Sequence, residues 1–308
     1  MGNICSVGLF QQMLRSATPV ALAGMGGLMT EHAGIMNIGM DGMILMGAFA
    51  AVAVSVATGS AFLGLLAAIL VGMLVGLFFA LFVVKFKSDE FIIGTALNIL
   101  ADGLTVFLLW AMFNVRGTLR TDAGLPTVDL ALIEQIPFVG QILSGNSLFV
   151  YLTWGLVFAM FCLVYKTPWG FWVRAAGEKP GTLRTAGISP DKVKWASSVL
   201  CGAFCGLAGM VEVYGTYYRV LEGITTSFGF TAMLIALLAK LNPIAVVLGS
   251  LFISMLTVGA NSMQISLNVP TSIVNVIQSL IIIFILIMPG IEKNIRTRRE
   301  KAAHGKEA

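Results

Sequence analysis

The chain has 308 residues, of which 57% are hydrophobic and only 11% charged, with a net charge of +4. A soluble domain carries roughly 25% charged residues, and one of this size could not keep so much apolar surface from water. A soluble enzyme or binding module is therefore excluded, and lipid is the expected solvent. The basic residues lie in the gaps between apolar runs rather than in a patch, so no nucleic-acid partner is expected.

Met1-Gly2-Asn3-Ile4-Cys5-Ser6 fits a short lipidation pattern, which we set aside because a multi-spanning chain gains little from an acyl anchor. No basic n-region marks a cleavable signal peptide. Nine apolar runs follow, at 7–29, 35–58, 60–84, 91–113, 147–164, 195–214, 228–239, 243–260 and 270–288. About 20 apolar residues cross a bilayer as a helix, and helix is the form that satisfies every backbone polar group within the segment. The expected fold class is all-α, a polytopic membrane bundle of eight to ten segments with room for broken or re-entrant helices. The run 35–58 is a candidate break, since it holds Asn37, Gly39, Asp41, Gly42 and Gly47. The run 228–239 is too short to span unless it extends back through Gly223.

Lys and Arg set the orientation. Of 19 basic residues, 15 fall on one side of an alternating arrangement: six in the loop 165–194, six in the tail after 288, and Lys85, Lys87 and Lys240. That side is expected to be cytoplasmic. The side of the N-terminus stays open, because it depends on whether 35–58 crosses. The segment 1–290 reads as one transmembrane domain and 291–308 as a basic cytoplasmic tail. Within the external loop 114–146, turns and a short interfacial helix near Leu130–Ile133 are expected.

The chain lacks GxxxxGK[ST], HExxH and GxSxG, and its only histidines are His32 and His304. A phosphate cradle or catalytic cluster is therefore not expected, and neither a metal site nor a cofactor. Cys162, Cys201 and Cys205 lie inside apolar runs and read as packing residues. Gly72/Gly76 and Gly202/Gly206 form two GxxxG pairs, which allow close helix approach in lipid. Polar residues within the runs are costly there. Asn37 and Asp41, Asn98 and Asp102, and Asn275 and Gln278 are each spaced to share a helical face, and Glu212 stands near the outward end of its run. They read either as a translocation path for a hydroxylated solute or as interhelical hydrogen bonds. The structural reading is preferred for Asn37 and Asp41, the functional one for Asn275 and Gln278, and both stand for Asn98 and Asp102. In the loop 165–194, Gly177 is placed to end one short helix (169–176), Pro180 to begin another, and Gly187 to end it. This loop reads as a membrane-surface connector or a docking surface.

The stretch Met29-Thr-Glu-His-Ala-Gly-Ile-Met-Asn-Ile-Gly-Met-Asp-Gly-Met43, continuing to Phe49, resembles the signature of permeases in the branched-chain amino acid and simple-sugar importer superfamily, nearest its nucleoside branch. Gly94-Thr-Ala-Leu-Asn98, Arg174-Ala-Ala-Gly-Glu-Lys-Pro180 with Thr185-Ala-Gly-Ile188, and Phe228-Gly-Phe230 through Asn242-Pro243 agree in order. Asp41 stands where the family usually has Glu, and Lys179 and Gly181 also depart from its pattern.

The resemblance implies the permease subunit of an ATP-binding-cassette importer, not itself an enzyme, in a bacterial inner membrane. The implied partners are a separate ATP-binding subunit that consumes the ATP, a second similar permease and an external substrate-binding protein. The ATPase would engage Arg174, Gly177, Glu178, Pro180 and Gly187. Broken helices at 35–47 and 228–243 would meet at the substrate path. The implied cargo is a nucleoside, with a simple sugar or branched-chain amino acid as alternatives. An ion-coupled transporter, needing Asp41, Asp102 or Glu212 to titrate, is the rival reading.

Overall fold

Proline placed at the first helical position pre-sets φ where no N–H is needed, and it starts four of the helices that follow. The computed structural model describes residues 7–115, 117–120, 127–128, 146–217, 219–221, 228–239 and 242–267, together with Ile273, Val276, Ser279, Leu280 and Ile283. The helices are α1 (Val7–His32), α2 (Met40–Thr58), α3 (Ala61–Ala80, continued by a π turn over Leu81–Lys85), α4 (Glu90–Phe113) and α5 (Leu148–Lys166). Then come α6 (Pro168–Glu178), α7 (Pro180–Thr185), α8 (Pro190–Glu212, continued by a π turn over Val213–Tyr217), α9 (Phe228–Leu238) and α10 (Pro243–Leu267). Chain contacts divide the molecule into residues 1–254 and 255–308.

The protein is an all-α, multi-pass membrane bundle. Among the described residues six helices are long and apolar enough to cross a bilayer: α2, α3, α4, α5, α8 and α10, with the π turns extending α3 and α8. The two most buried of these, α8 and α2, are also the two least apolar, whereas α3 is the most apolar and mostly exposed. Inner helices face protein and tolerate small and polar residues. Outer ones present side chains such as Phe62, Leu70, Leu74, Ile99 and Trp110 to the hydrocarbon.

Small residues hold the centre. The two GxxxG pairs meet each other: a Cβ on Gly76 would lie 2.5 Å from the Ser198 carbonyl oxygen, and one on Gly202 3.0 Å from the Cα of Gly76. On its other side α8 meets α2, where Gly209 lies against the backbone of Ile44 and Ala48, and Gly47 against Gly206. The free cysteines Cys201 and Cys205 are fully buried beside these glycines. At the far end of α8, the Tyr214 hydroxyl bonds Ser55 and the Ala51 carbonyl, tying the π turn to α2.

The interruption expected within 35–58 lies at its start. Residues 33–39 are non-helical, and α2 then runs unbroken through Gly42 and Gly47. These two glycines accommodate neighbours rather than a bend: a Cβ on Gly42 would lie 2.8 Å from Leu97 Cδ2 and 3.0 Å from the Leu97 carbonyl. Two features were not anticipated. Short antiparallel pairs join β1 (Thr118–Arg120) to β4 (Arg219–Leu221), and β2 (Thr127–Val128) to β3 (Asn146–Ser147). The expected helix near 130–133, the extension through Gly223 and the tail 291–308 lie outside the described residues.

Candidate functional site

Residues 33–39 connect the end of α1 to the start of α2. Gly34, with φ +71°, closes α1 in a left-handed turn. The Ile35 N–H bonds the Thr30 carbonyl (2.9 Å) and the Gly34 N–H the Glu31 carbonyl (3.0 Å). This is the paired C-terminal cap that glycine favours, with Ile35 buried beneath it.

The start of α2 has no cap of its own, because Gly39 stands at its N-cap without a side chain. Asn98, from α4, supplies one. Its carbonyl oxygen accepts from the Gly42 N–H (2.8 Å) and its amide donates to the Ile38 carbonyl (3.0 Å). Gly94, one turn earlier on α4, lets the helix approach this backbone: a Cβ there would lie 2.8 Å from the Gly39 nitrogen. Asn37 is buried, accepting from the Gly39 N–H (3.1 Å) and donating towards Cys201 Sγ (3.3 Å). Asp41, in the first turn of α2, reaches across to α9, and its carboxylate accepts from the Gly229 N–H. Gly229 is required by the close approach, since a Cβ there would lie 2.7 Å from the Asp41 Cα. The N-terminal ends of α2 and α9 thus meet, with one carboxylate serving both their positive ends.

The loop 165–194 folds as α6 and α7. Thr167–Pro168 and Lys179–Pro180 begin these helices. Gly187, at φ +78°, ends the second, with the Ile188 N–H on the Leu183 carbonyl (2.9 Å) and the Gly187 N–H on the Arg184 carbonyl (3.1 Å). Arg174 turns inward. It donates from Nη2 to the Val164 carbonyl (3.2 Å) and from Nε to the Gly170 carbonyl (3.3 Å), and stacks 5.6 Å from the Tyr165 ring centre. It therefore caps the end of α5, whose last carbonyls have no partner within the helix. Glu178, Pro180, Arg184 and Gly187 are exposed around the single buried anchor Leu183.

Gly177, at the end of α6, packs directly on the α1–α2 connection. A Cβ on Gly34 would lie 3.0 Å from the Gly177 Cα, and one on Gly177 2.9 Å from the Gly34 nitrogen. Glu90 also holds this connection, accepting from the Met36 N–H, while Asp89 caps α4 through the Phe91 and Ile92 N–H groups (2.9 and 3.1 Å). The ends of α1, α4 and α6 therefore share one face of the bundle, where a cleft of 400 Å³ opens between Glu31, Gly34, Met36, Asp89 and Glu90.

The structure brings together Asn37, Asp41 and Asn98, and places Gly177 against the same segment. Asp102 lies exposed on α4, and Glu212 is buried with its Oε2 without a hydrogen-bond partner. Asn275 and Gln278 lie outside the described residues. No motif marked Glu90, which follows the capping Asp89 in the first turn of α4, where acidic residues are common. Gly34 and Gly229 stood out only as letters of motifs. The left-handed cap after an apolar helix was a usable signal for Gly34.

The fold and this junction of interrupted helices define a polytopic membrane permease. The chain belongs to the family of branched-chain amino acid transport system permease components, whose model matches residues 9–286. It is 28% identical to the nucleoside ABC transporter permease protein NupC of Lactococcus lactis, over 80% of this chain and 79% of that one. It is 30% identical to the guanosine ABC transporter permease protein NupP of Bacillus subtilis, over 92% and 82%. It is 32% identical to the glucose ABC transporter permease protein TsgB13 of Haloferax volcanii, over 91% and 76%. No solved structure matches the chain.

Proposed function

We propose that this chain is the translocating subunit of an ATP-binding-cassette importer in a bacterial inner membrane, and that it carries a nucleoside inward. The observation that supports this most is the family match over 9–286 together with relatives named for nucleoside and guanosine transport. The buried polar side chains among the described residues are hydroxyls, Asn37, His32 and Glu212, with no Lys or Arg among them. That set suits a neutral hydroxylated cargo better than an amino acid carboxylate, which would call for a buried cation. A simple sugar is the second reading, favoured by the relative named for glucose. Both cargoes present vicinal hydroxyls.

The sequence carries no GxxxxGK[ST] motif, which supports a separate ATP-binding subunit as the one that consumes the ATP. That subunit docks on the exposed surface of α7, around Glu178, Pro180, Arg184 and Gly187. A second, homologous permease completes the pathway, and an external binding protein delivers the cargo. Lys85, Lys87, Lys166, Lys179, Arg184, Lys192 and Lys194 cluster at the end of the bundle that carries α6 and α7. That excess marks the cytoplasmic side. We place the start of α1 outside: its 26 residues extend about 39 Å, although it is not among the six helices apolar enough to cross by composition. The basic tail after 288 is cytoplasmic as well.

The test is uptake of radiolabelled nucleosides, ribose and leucine by cells lacking the chain and by cells with it restored. Nucleoside uptake that is lost and returns supports the reading. Loss of ribose or leucine uptake alone would transfer the cargo assignment, and unchanged uptake of all three would count against the assignment.

A further inference from the structure

The stretches that carry the family resemblance meet at the connection 33–39, which lies within the first of them, and at the first turn of α2 that follows it. Gly177 of α6 packs on Gly34. Gly94 and Asn98 of α4 hold Ile38, Gly39 and Gly42. Gly229 of α9 meets Asp41. We propose that residues 33–39 are a mechanical relay, through which displacement of the α6–α7 loop by the ATP-binding partner moves the junction of the α2 and α9 N-termini. This rests on the permease reading above.

The physical case is the lack of slack along the connection. At Gly34–Gly177 backbone meets backbone, with no flexible side chain to absorb a shift. Packed backbones of this kind move together or separate; they do not deform continuously. The connection is fixed upstream by the paired cap on α1, with Ile35 bonded to Thr30 at 2.9 Å. Glu90 pins its middle through the Met36 N–H. Asn37 and Asn98 fix it downstream to the first turn of α2. That turn holds α9 through Asp41. A push on α6 therefore reaches the helix junction through consecutive hydrogen-bonded or close-packed groups. α6 also touches α5, α8 and α1 directly; Gly34–Gly177 is the contact that bears on the connection itself.

The relay predicts separate effects on hydrolysis and transport in the assembled complex. Gly34→Asn keeps a residue that tolerates a left-handed turn but inserts a Cβ 3.0 Å from the Gly177 Cα. Glu90→Ala removes the acceptor for Met36, and Glu90→Gln retains one. Permease, partner permease, ATPase and binding protein are reconstituted in liposomes, and ATP hydrolysis and cargo uptake are measured together. With Gly34→Asn and Glu90→Ala, hydrolysis is expected to stay near the unmodified level while uptake falls about tenfold, and Glu90→Gln is expected to recover most of the uptake. Unchanged uptake in both disruptive variants would overturn the relay. So would a parallel fall of hydrolysis and uptake, which would make these contacts part of docking alone. An unmodified complex that neither hydrolyses ATP nor transports any of the tested cargoes would refute the permease reading itself.

Discussion

Asn98 offers a clean separation of architecture from cargo recognition. Its side chain makes two hydrogen bonds to backbone 56 and 60 residues earlier in the chain, capping a helix whose own N-cap is glycine. Asn98→Ala leaves the Gly42 N–H and the Ile38 carbonyl without these partners in a partly buried site. Interhelical side-chain hydrogen bonds in membrane proteins average about 0.6 kcal/mol and reach about 1.7 kcal/mol. Losing two is therefore expected to cost about 1–3 kcal/mol. Cys201 and Cys205 are buried, so with Cys5 and Cys162 replaced by serine a thiol-reactive dye reports unfolding in detergent. Asn98→Ala should lower the midpoint. Asn98→Asp, which keeps the acceptor for Gly42 but sets an anion beside the Ile38 carbonyl, should lower it at least as far. If Asn98→Ala leaves the midpoint unchanged yet abolishes transport, the capping argument fails and the amide acts on cargo.

Arg174→Ala should destabilise the subunit, because it uncovers the end of α5, whereas Glu178→Ala should leave the thermal midpoint unchanged and weaken ATPase binding. Measuring both in parallel checks this, and the opposite pattern would place Arg174 at the docking surface. Asp41→Asn keeps an acceptor for the Gly229 N–H and should retain assembly, while Asp41→Ala should lose stability by about 1 kcal/mol; equal midpoints would deny the carboxylate a capping role. Replacing Gly202 by Leu should prevent folding altogether, since the Gly72–Gly76 backbone occupies the space, and normal expression of a monodisperse variant would contradict that packing.

Local signals in the chain were legible where chemistry is local. The α6–α7 break falls at Lys179–Pro180, as expected of Pro180; Gly177, expected to end the first helix, lies inside α6, and the expected stop at Gly187 coincides with a positive φ that glycine accepts readily. The small-residue pairs predicted close packing, but nothing in either pair named the other as its partner, because that choice depends on all the intervening helices. Asn98 and Asp102 share a helical spacing, yet only Asn98 reaches α2 while Asp102 is exposed. A spacing rule defines a stripe about one side chain wide and not which edge of it meets a neighbour. Gly42 and Gly47 looked like bend residues by the logic of water-soluble helices. In lipid the same glycines serve approach, and the break falls instead at Gly34–Gly39, where α1 is closed by its own glycine cap and the start of α2 is capped by Asn98. The capping contacts of Arg174 were not legible, because its partners Val164 and Gly170 offer ordinary backbone carbonyls that no motif announces.

The same residues explain why an interrupted helix is stable at this position. Ending α1 and starting α2 leaves backbone groups without partners inside either helix, and where water does not reach them they must be satisfied by neighbouring groups. Here the connection and the turn after it are held from three directions: by Asn98 and Gly94 on α4, by Gly177 on α6 and, at Asp41 in the first turn of α2, by Gly229 on α9. Each covering group is also a point of attachment. A segment that needs three neighbours to stay folded necessarily senses the movement of any one of them. Structural necessity and mechanical coupling therefore fall on the same seven residues, and a variant that satisfies the connection internally, without its neighbours, would keep the fold and lose the coupling.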